Sequence, residues 1–198
     1  MRSFAPDRVY LAGWPLTRDF PHMASDAAPL EALWGRARGV CPPRLYAGPS
    51  LTVSGLHAHT YADTLCAQLR GVKEWLLFAP DQSALLRPTR KYLRGGACAG
   101  VDICNLGADA PALRSFERAS GLFARAEPGD VLFIPAGWWH AAVAEEPGLT
   151  VSSARRGGGP CGALADAAAA WAHEEGYLAQ GWCVCHETQD LAAMQRGR

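Results

Sequence analysis

The chain has no excess of charge of either sign. Its 19 Lys and Arg balance 19 Asp and Glu over 198 residues, a formal net charge of zero, so no global field favours a nucleic-acid backbone or an anionic membrane surface. No apolar run approaches the ~20 residues that a helix needs to cross a bilayer. Met1-Arg-Ser-Phe-Ala-Pro-Asp lacks the apolar core of a signal peptide. The expectation is an intracellular, cytoplasmic or nuclear protein with no membrane partner and with nucleic acid disfavoured as a partner. Cysteine is present, but its count of seven is odd and scattered, which fits free thiols better than a disulfide framework. Hydrophobic residues at 49% and charged residues at 19% give an ordinary globular balance, enough for one domain with a full core.

What the chain does contain is a series of short β-rich runs: Leu51–Val53, Thr64–Arg70, Glu74–Phe78, Val131–Ile134, Ala141–Ala144 and Leu149–Ser153. Pro135-Ala-Gly-Trp and Glu146-Pro-Gly read as tight turns, because Pro presets φ and Gly accepts a positive one. Turn-punctuated short strands predict an all-β sandwich or barrel, and a jelly roll satisfies the pattern. Pro80 to Arg87 reads as a short helix closed by Pro88. Residues 89–120 read as loop, with a brief helix over Pro111 to Ala119. After Arg155, Gly157-Gly-Gly-Pro160 breaks the chain, and an Ala-rich stretch predicts a C-terminal helix over 161–180. The expected organisation is a β domain over 1–156 and a helical extension over 157–198.

Three histidines form the most informative pattern. His57 and His59 are spaced His-x-His on a predicted strand, so their side chains leave the same face of the sheet. His140 closes the distant string Glu127-Pro-Gly-Asp-Val-Leu-Phe-Ile-Pro-Ala-Gly-Trp-Trp-His. A lone histidine reads as a hydrogen-bonded strand residue. Three arriving at one point could close one side of a metal's coordination sphere and leave the rest open, as non-haem iron oxygenases require. Trp138 and Trp139 read as core aromatics, Trp138 sharing the face of His140. Cys183-Val-Cys185-His186 offers a zinc-like spacing, but lacks a second well-placed pair to complete four ligands.

In Arg44 to His57, Ala67 to Gln82 and Glu127 to His140 the chain resembles the JmjC-domain, cupin-like oxygenases, in the branch that includes an asparaginyl hydroxylase. The likeness runs over roughly residues 10–155. It implies a double-stranded β-helix, Fe(II) held by His57, His59 and His140, and 2-oxoglutarate as co-substrate. By the same resemblance Lys73 anchors the distal carboxylate of 2-oxoglutarate, with Ser54 beside it. Thr64 and Ser152 occupy positions where relatives carry Asn, Tyr46 projects toward the cavity, and Asp102 lies near its mouth. The implied activity is hydroxylation of a protein side chain or, as the lesser alternative, of a nucleic-acid base. Two departures stand out: most members carry Asp or Glu at the position of His59, and the stretch from His59 to Lys73 is one residue longer. Two alternatives therefore remain open: a catalytically silent JmjC binding module, and a three-histidine cupin dioxygenase independent of 2-oxoglutarate.

Overall fold

The computed structural model describes residues 10–15, 19–23, 25, 43–93, 96–145, 149–157, 160–175 and 177. Eleven strands occur among these residues: β1 Leu11–Pro15, β2 Arg44–Pro49, β3 Val53–His59, β4 Asp63–Arg70, β5 Lys73–Phe78, β6 Pro88–Leu93, β7 Gly96–Ala99, β8 Leu122–Ala126, β9 Val131–Ile134, β10 Trp139–Ala144 and β11 Leu149–Gly157. The helices are α1 Ser83–Leu86, α2 Ala110–Phe116 and α3 Pro160–Glu174. None is long and apolar enough to cross a membrane. The strands form a five-stranded sheet, β1-β2-β11-β4-β9, and a six-stranded sheet, β6-β7-β3-β10-β5-β8. Every pairing is antiparallel. This is a jelly roll of cupin type, the all-β double-stranded β-helix the sequence predicts, followed by a helix.

Alternation along β10 shows how the core divides. Ala142 points between the sheets with Cys66, Trp75, Leu77, Ala126 and Ile134, and Trp138 packs against this group. Trp139 and Ala141 point the other way, onto Leu56, Ala58, Phe78 and Leu86. That outer layer is covered from α2 by Phe116, and the Trp139 indole donates to Ser83 Oγ at 2.8 Å. Both tryptophans are therefore core residues, on opposite faces as expected.

Two expectations need correction. Leu51–Val53 is not a strand: Leu51 takes a left-handed φ of 63° in a turn that Thr52 closes by donating to the Pro49 carbonyl, and β3 begins at Val53. Residues 89–120 are not all loop, because β6 and β7 form a hairpin that extends the six-stranded sheet beside β3. Gly96, which looks like a breaker, is there for close approach: a Cβ on it would lie 2.1 Å from the Ala58 carbonyl oxygen. Pro80–Gln82 forms a 3-10 turn that runs directly into α1, so the expected Pro80–Arg87 helix holds to within a residue, whereas α2 and α3 end earlier than expected, at Phe116 and Glu174. Arg87 at φ 54° ends α1, and Asp109 caps α2 by accepting from the Ala112 amide. Glu146-Pro-Gly lies outside the described residues.

Candidate metal centre

β3 and β10 are neighbours in the six-stranded sheet, and their register pairs His140 directly with His57. His59 follows two residues on along the same face, so all three rings meet in one cleft. Their centroids are 4.2 Å (His57–His140), 5.1 Å (His57–His59) and 5.3 Å (His59–His140) apart. One ligand atom from each lies within 4.8 Å of the others, close enough for small ring rotations to bring each nitrogen to about 2.0–2.1 Å from a common ion. The approach of β10 is fixed by the turn before it. Pro135-Ala-Gly-Trp138 closes with the Trp138 amide donating to the Pro135 carbonyl, and Gly137 takes φ 79°. The Gly137 amide then donates to the His59 carbonyl at 2.7 Å, and Asp63 Oδ1 accepts from the Ala136 amide. Gly137→Val should therefore cost about 1–3 kcal/mol of strain and displace His140. Urea denaturation together with Co(II) affinity checks this, the expected result being a loss in both.

Desolvation holds all three imidazoles below the ordinary histidine range. They are neutral near pH 7, the state in which a ring nitrogen offers a lone pair to a metal. His57 donates Nδ1–H to the Gly55 carbonyl at 2.7 Å and His140 donates its own to the Trp138 carbonyl at 3.1 Å. Both hydrogen bonds leave Nε2 unprotonated and orient the ring, as the outer partners of metal-binding histidines do. His59 is treated differently, with Arg156 Nη1 lying 3.4 Å from its Nδ1.

A second polar group begins on the same sheet and reaches across the sandwich. Lys73 opens β5, is 4% exposed, and donates to Ser152 Oγ of the opposite sheet at 2.6 Å. The rings of Tyr10 and Tyr46 flank its ammonium at 5.9 and 5.8 Å, near the limit of useful cation–π attraction. Burial pulls its pKa down, and among the described residues no carboxylate pairs with it. Ser54 stands three residues before His57, a spacing that a regular strand would send to opposite faces. β3 carries one extra residue against β10 between these positions, and this irregularity turns both into the cleft. Ser54 Oγ is 3.0 Å from the Tyr10 hydroxyl. The residues bound a cleft of about 410 Å³, measured to its open mouth, which Thr64, Cys66, Trp75 and Ile134 also line.

Residues 2–153 match the family described as the cupin-like domain. The chain belongs to that family, of the JmjC type. Over 109 residues it is 33% identical to the HSPB1-associated protein 1 homolog of Danio rerio, an overlap covering 54% of this chain and 24% of the relative. Over 90 residues it is 36% identical to tRNA wybutosine-synthesizing protein 5 of Homo sapiens, covering 46% and 26%. Over 145 residues it is 30% identical to the 2-oxoglutarate and iron-dependent oxygenase JMJD4 of Homo sapiens, covering 67% and 33%. The chain thus spans a quarter to a third of the length of these relatives.

The cupin-like domain brings seven residues singled out from its sequence to one cleft: His57, His59, His140, Lys73, Ser54, Thr64 and Ser152. Tyr46 lines it too. Asp102 does not; it is exposed and its carboxylate accepts from the Cys104 amide. β4 carries a register shift at Leu69, opposite Val151 and Ser152. Cys183, Cys185 and His186 lie outside the described residues. Sequence reasoning missed Tyr10, Cys66, Trp75 and Arg156. Period-two alternation was the available signal for Cys66, two after Thr64, for Trp75, two after Lys73, and for Arg156, four after Ser152. The Trp75 indole N–H is buried without a hydrogen-bond partner among the described residues, a donor left over for a molecule in the cleft.

Proposed function

We propose that this cupin-like domain is an Fe(II)- and 2-oxoglutarate-dependent oxygenase that hydroxylates a side chain of a protein. One observation carries the reading: neutral histidines converge in the same cleft as a buried lysine that meets no carboxylate among the described residues. A buried ammonium is costly without a counter-charge, and the distal carboxylate of 2-oxoglutarate would supply one through a charge-assisted hydrogen bond. His57 and His140 present oriented lone pairs to iron, and His59 stands at the third corner, where the resembled family carries a carboxylate. When bound, the iron supplies the oxygen chemistry that no side chain can. The chain's own residues do the rest. Lys73, Ser152 and the Tyr10–Ser54 pair anchor and orient the co-substrate, Thr64 adds a hydroxyl, and Trp75 and Ile134 wall the site against water. The relative named as an iron- and 2-oxoglutarate-dependent oxygenase supports the cofactor pair. Those named as HSPB1-associated support a protein partner, and zero net charge favours protein over nucleic acid. We further assign the oxygenase unit to 1–156 and a helical appendage to 157–198.

The silent binding module keeps one observation in its favour, the imidazole of His59 in place of a carboxylate. An open cleft with Lys73 turned into it speaks against both that reading and a dioxygenase that needs no 2-oxoglutarate. Iron-dependent succinate release from 2-oxoglutarate is the test. Release by the wild type that is absent from His140→Ala supports the oxygenase. Tight iron binding without any succinate would move the assignment to the binding module.

A further inference from the structure

Of the three histidines, two are prepared alike and one is not. His57 and His140 each give Nδ1–H to a backbone carbonyl, which leaves the lone pair on Nε2. His59 Nδ1 instead faces Arg156 Nη1 at 3.4 Å. A guanidinium only donates and stays charged throughout the accessible pH range, so it cannot face an N–H on Nδ1 without repulsion. The neutral ring beside it must carry its hydrogen on Nε2, and a nitrogen holding that hydrogen has no lone pair for a metal. The surroundings favour this arrangement. Arg156 is buried at 7% exposure near the end of β11. Cross-strand from His59 is Gly96, where even a Cβ would lie 3.3 Å from Nδ1, so position 96 puts no side chain between that edge of the ring and the guanidinium.

Building on the metal reading above, we infer that Arg156 is a positioning residue that fixes His59 as its Nε2–H tautomer, so that His57 and His140 alone ligate the metal. His59 then meets the third corner as a hydrogen-bond donor. It suits a water or an anionic oxygen held there, which is the reverse of the carboxylate that the resembled family places at this position. For Nε2 of His59 to ligate, the ring would have to turn away from Arg156 so that its one N–H hydrogen could move to Nδ1.

Long-range ¹H–¹⁵N correlation of the metal-free protein reads the tautomers directly and needs no ion. The expected pattern is Nδ1–H for His57 and His140 and Nε2–H for His59. Arg156→Lys should preserve it and Arg156→Met should release it. Finding Nδ1–H on His59 in the wild type overturns the inference whatever the variants do. The metal arm uses Cu(II), with pulsed EPR counting coordinated imidazoles: two in the wild type and three in Arg156→Met. Co(II) titration adds an arm that leaves Arg156 untouched. His59→Ala should change the Co(II) dissociation constant by no more than roughly threefold, whereas His57→Ala should raise it by roughly a hundredfold or more. Three imidazoles in the wild type, or equal losses in the two alanine variants, overturn the two-imidazole centre. If neither ion binds the wild type, the metal reading fails, and the ¹⁵N pattern still decides what Arg156 does to His59.

Discussion

His140→Ala is expected to weaken metal binding by about a hundredfold or more, since even outer-shell partners of metal ligands contribute 10–100-fold. The loss should come with little damage to the fold. β10 already carries Ala141, Ala142 and Ala144 in full burial, so alanine suits the strand at this depth. The register that pairs position 140 with His57 on one side and Leu77 on the other is held by backbone bonds that the substitution leaves in place. What disappears is one of the two imidazoles whose Nε2 is oriented by a carbonyl bond. Isothermal titration with Co(II), alongside a thermal melt, separates the two effects. A melt shifted by only a few degrees with binding abolished is the expected pair. Undiminished binding would mean that the ion sits elsewhere.

Lys73→Met should move stability and function in opposite directions. Methionine fills much of the same volume without bringing an ammonium into a site whose described partners are one serine hydroxyl and two tyrosine faces. Removing that desolvation cost should raise the melting temperature, by about 2–4 °C for each kcal/mol recovered in a chain of this size. Affinity for 2-oxoglutarate should fall by about 1.5–3 kcal/mol, the scale of a hydrogen bond to a charged group, or roughly 10- to 150-fold. The pH dependence carries the same signature. Burial lowers the folded pKa of Lys73 below its unfolded value. Between that lowered value and about 10.4 the unfolded chain therefore binds more protons, and wild-type stability should rise with pH. The methionine variant should lack that rise. A variant that melts lower and binds 2-oxoglutarate unchanged would show that the ammonium is paired and structural.

Several of these features were legible in the chain before any coordinates. His-x-His on a strand has one geometric outcome, because successive pairs share a face, and the Pro-Ala-Gly turn before Trp138 determines where the last histidine arrives. Lys73 and Ser152 could be named only through the family resemblance. Their contact across the sandwich depends on which strands oppose, which periodicity does not state. Ser54 shows the limit of alternation: its odd spacing from His57 points the wrong way until the irregularity in β3 is known. The β6–β7 hairpin was hidden because Gly96 looks like punctuation when its role is close approach to β3. Arg156 was hidden at an apparent domain edge, although counting from Ser152 by twos leads to it.

The most direct test of the account is anaerobic addition of Fe(II), then 2-oxoglutarate, to the wild-type protein, followed by visible absorption. Bound iron alone should remain nearly colourless, and 2-oxoglutarate should then raise a saturable charge-transfer band as it joins the metal. That band should be missing from His140→Ala and should require much higher co-substrate in Lys73→Met. Tight iron binding by the wild type with no band at saturating 2-oxoglutarate would contradict the claim that one cleft holds both.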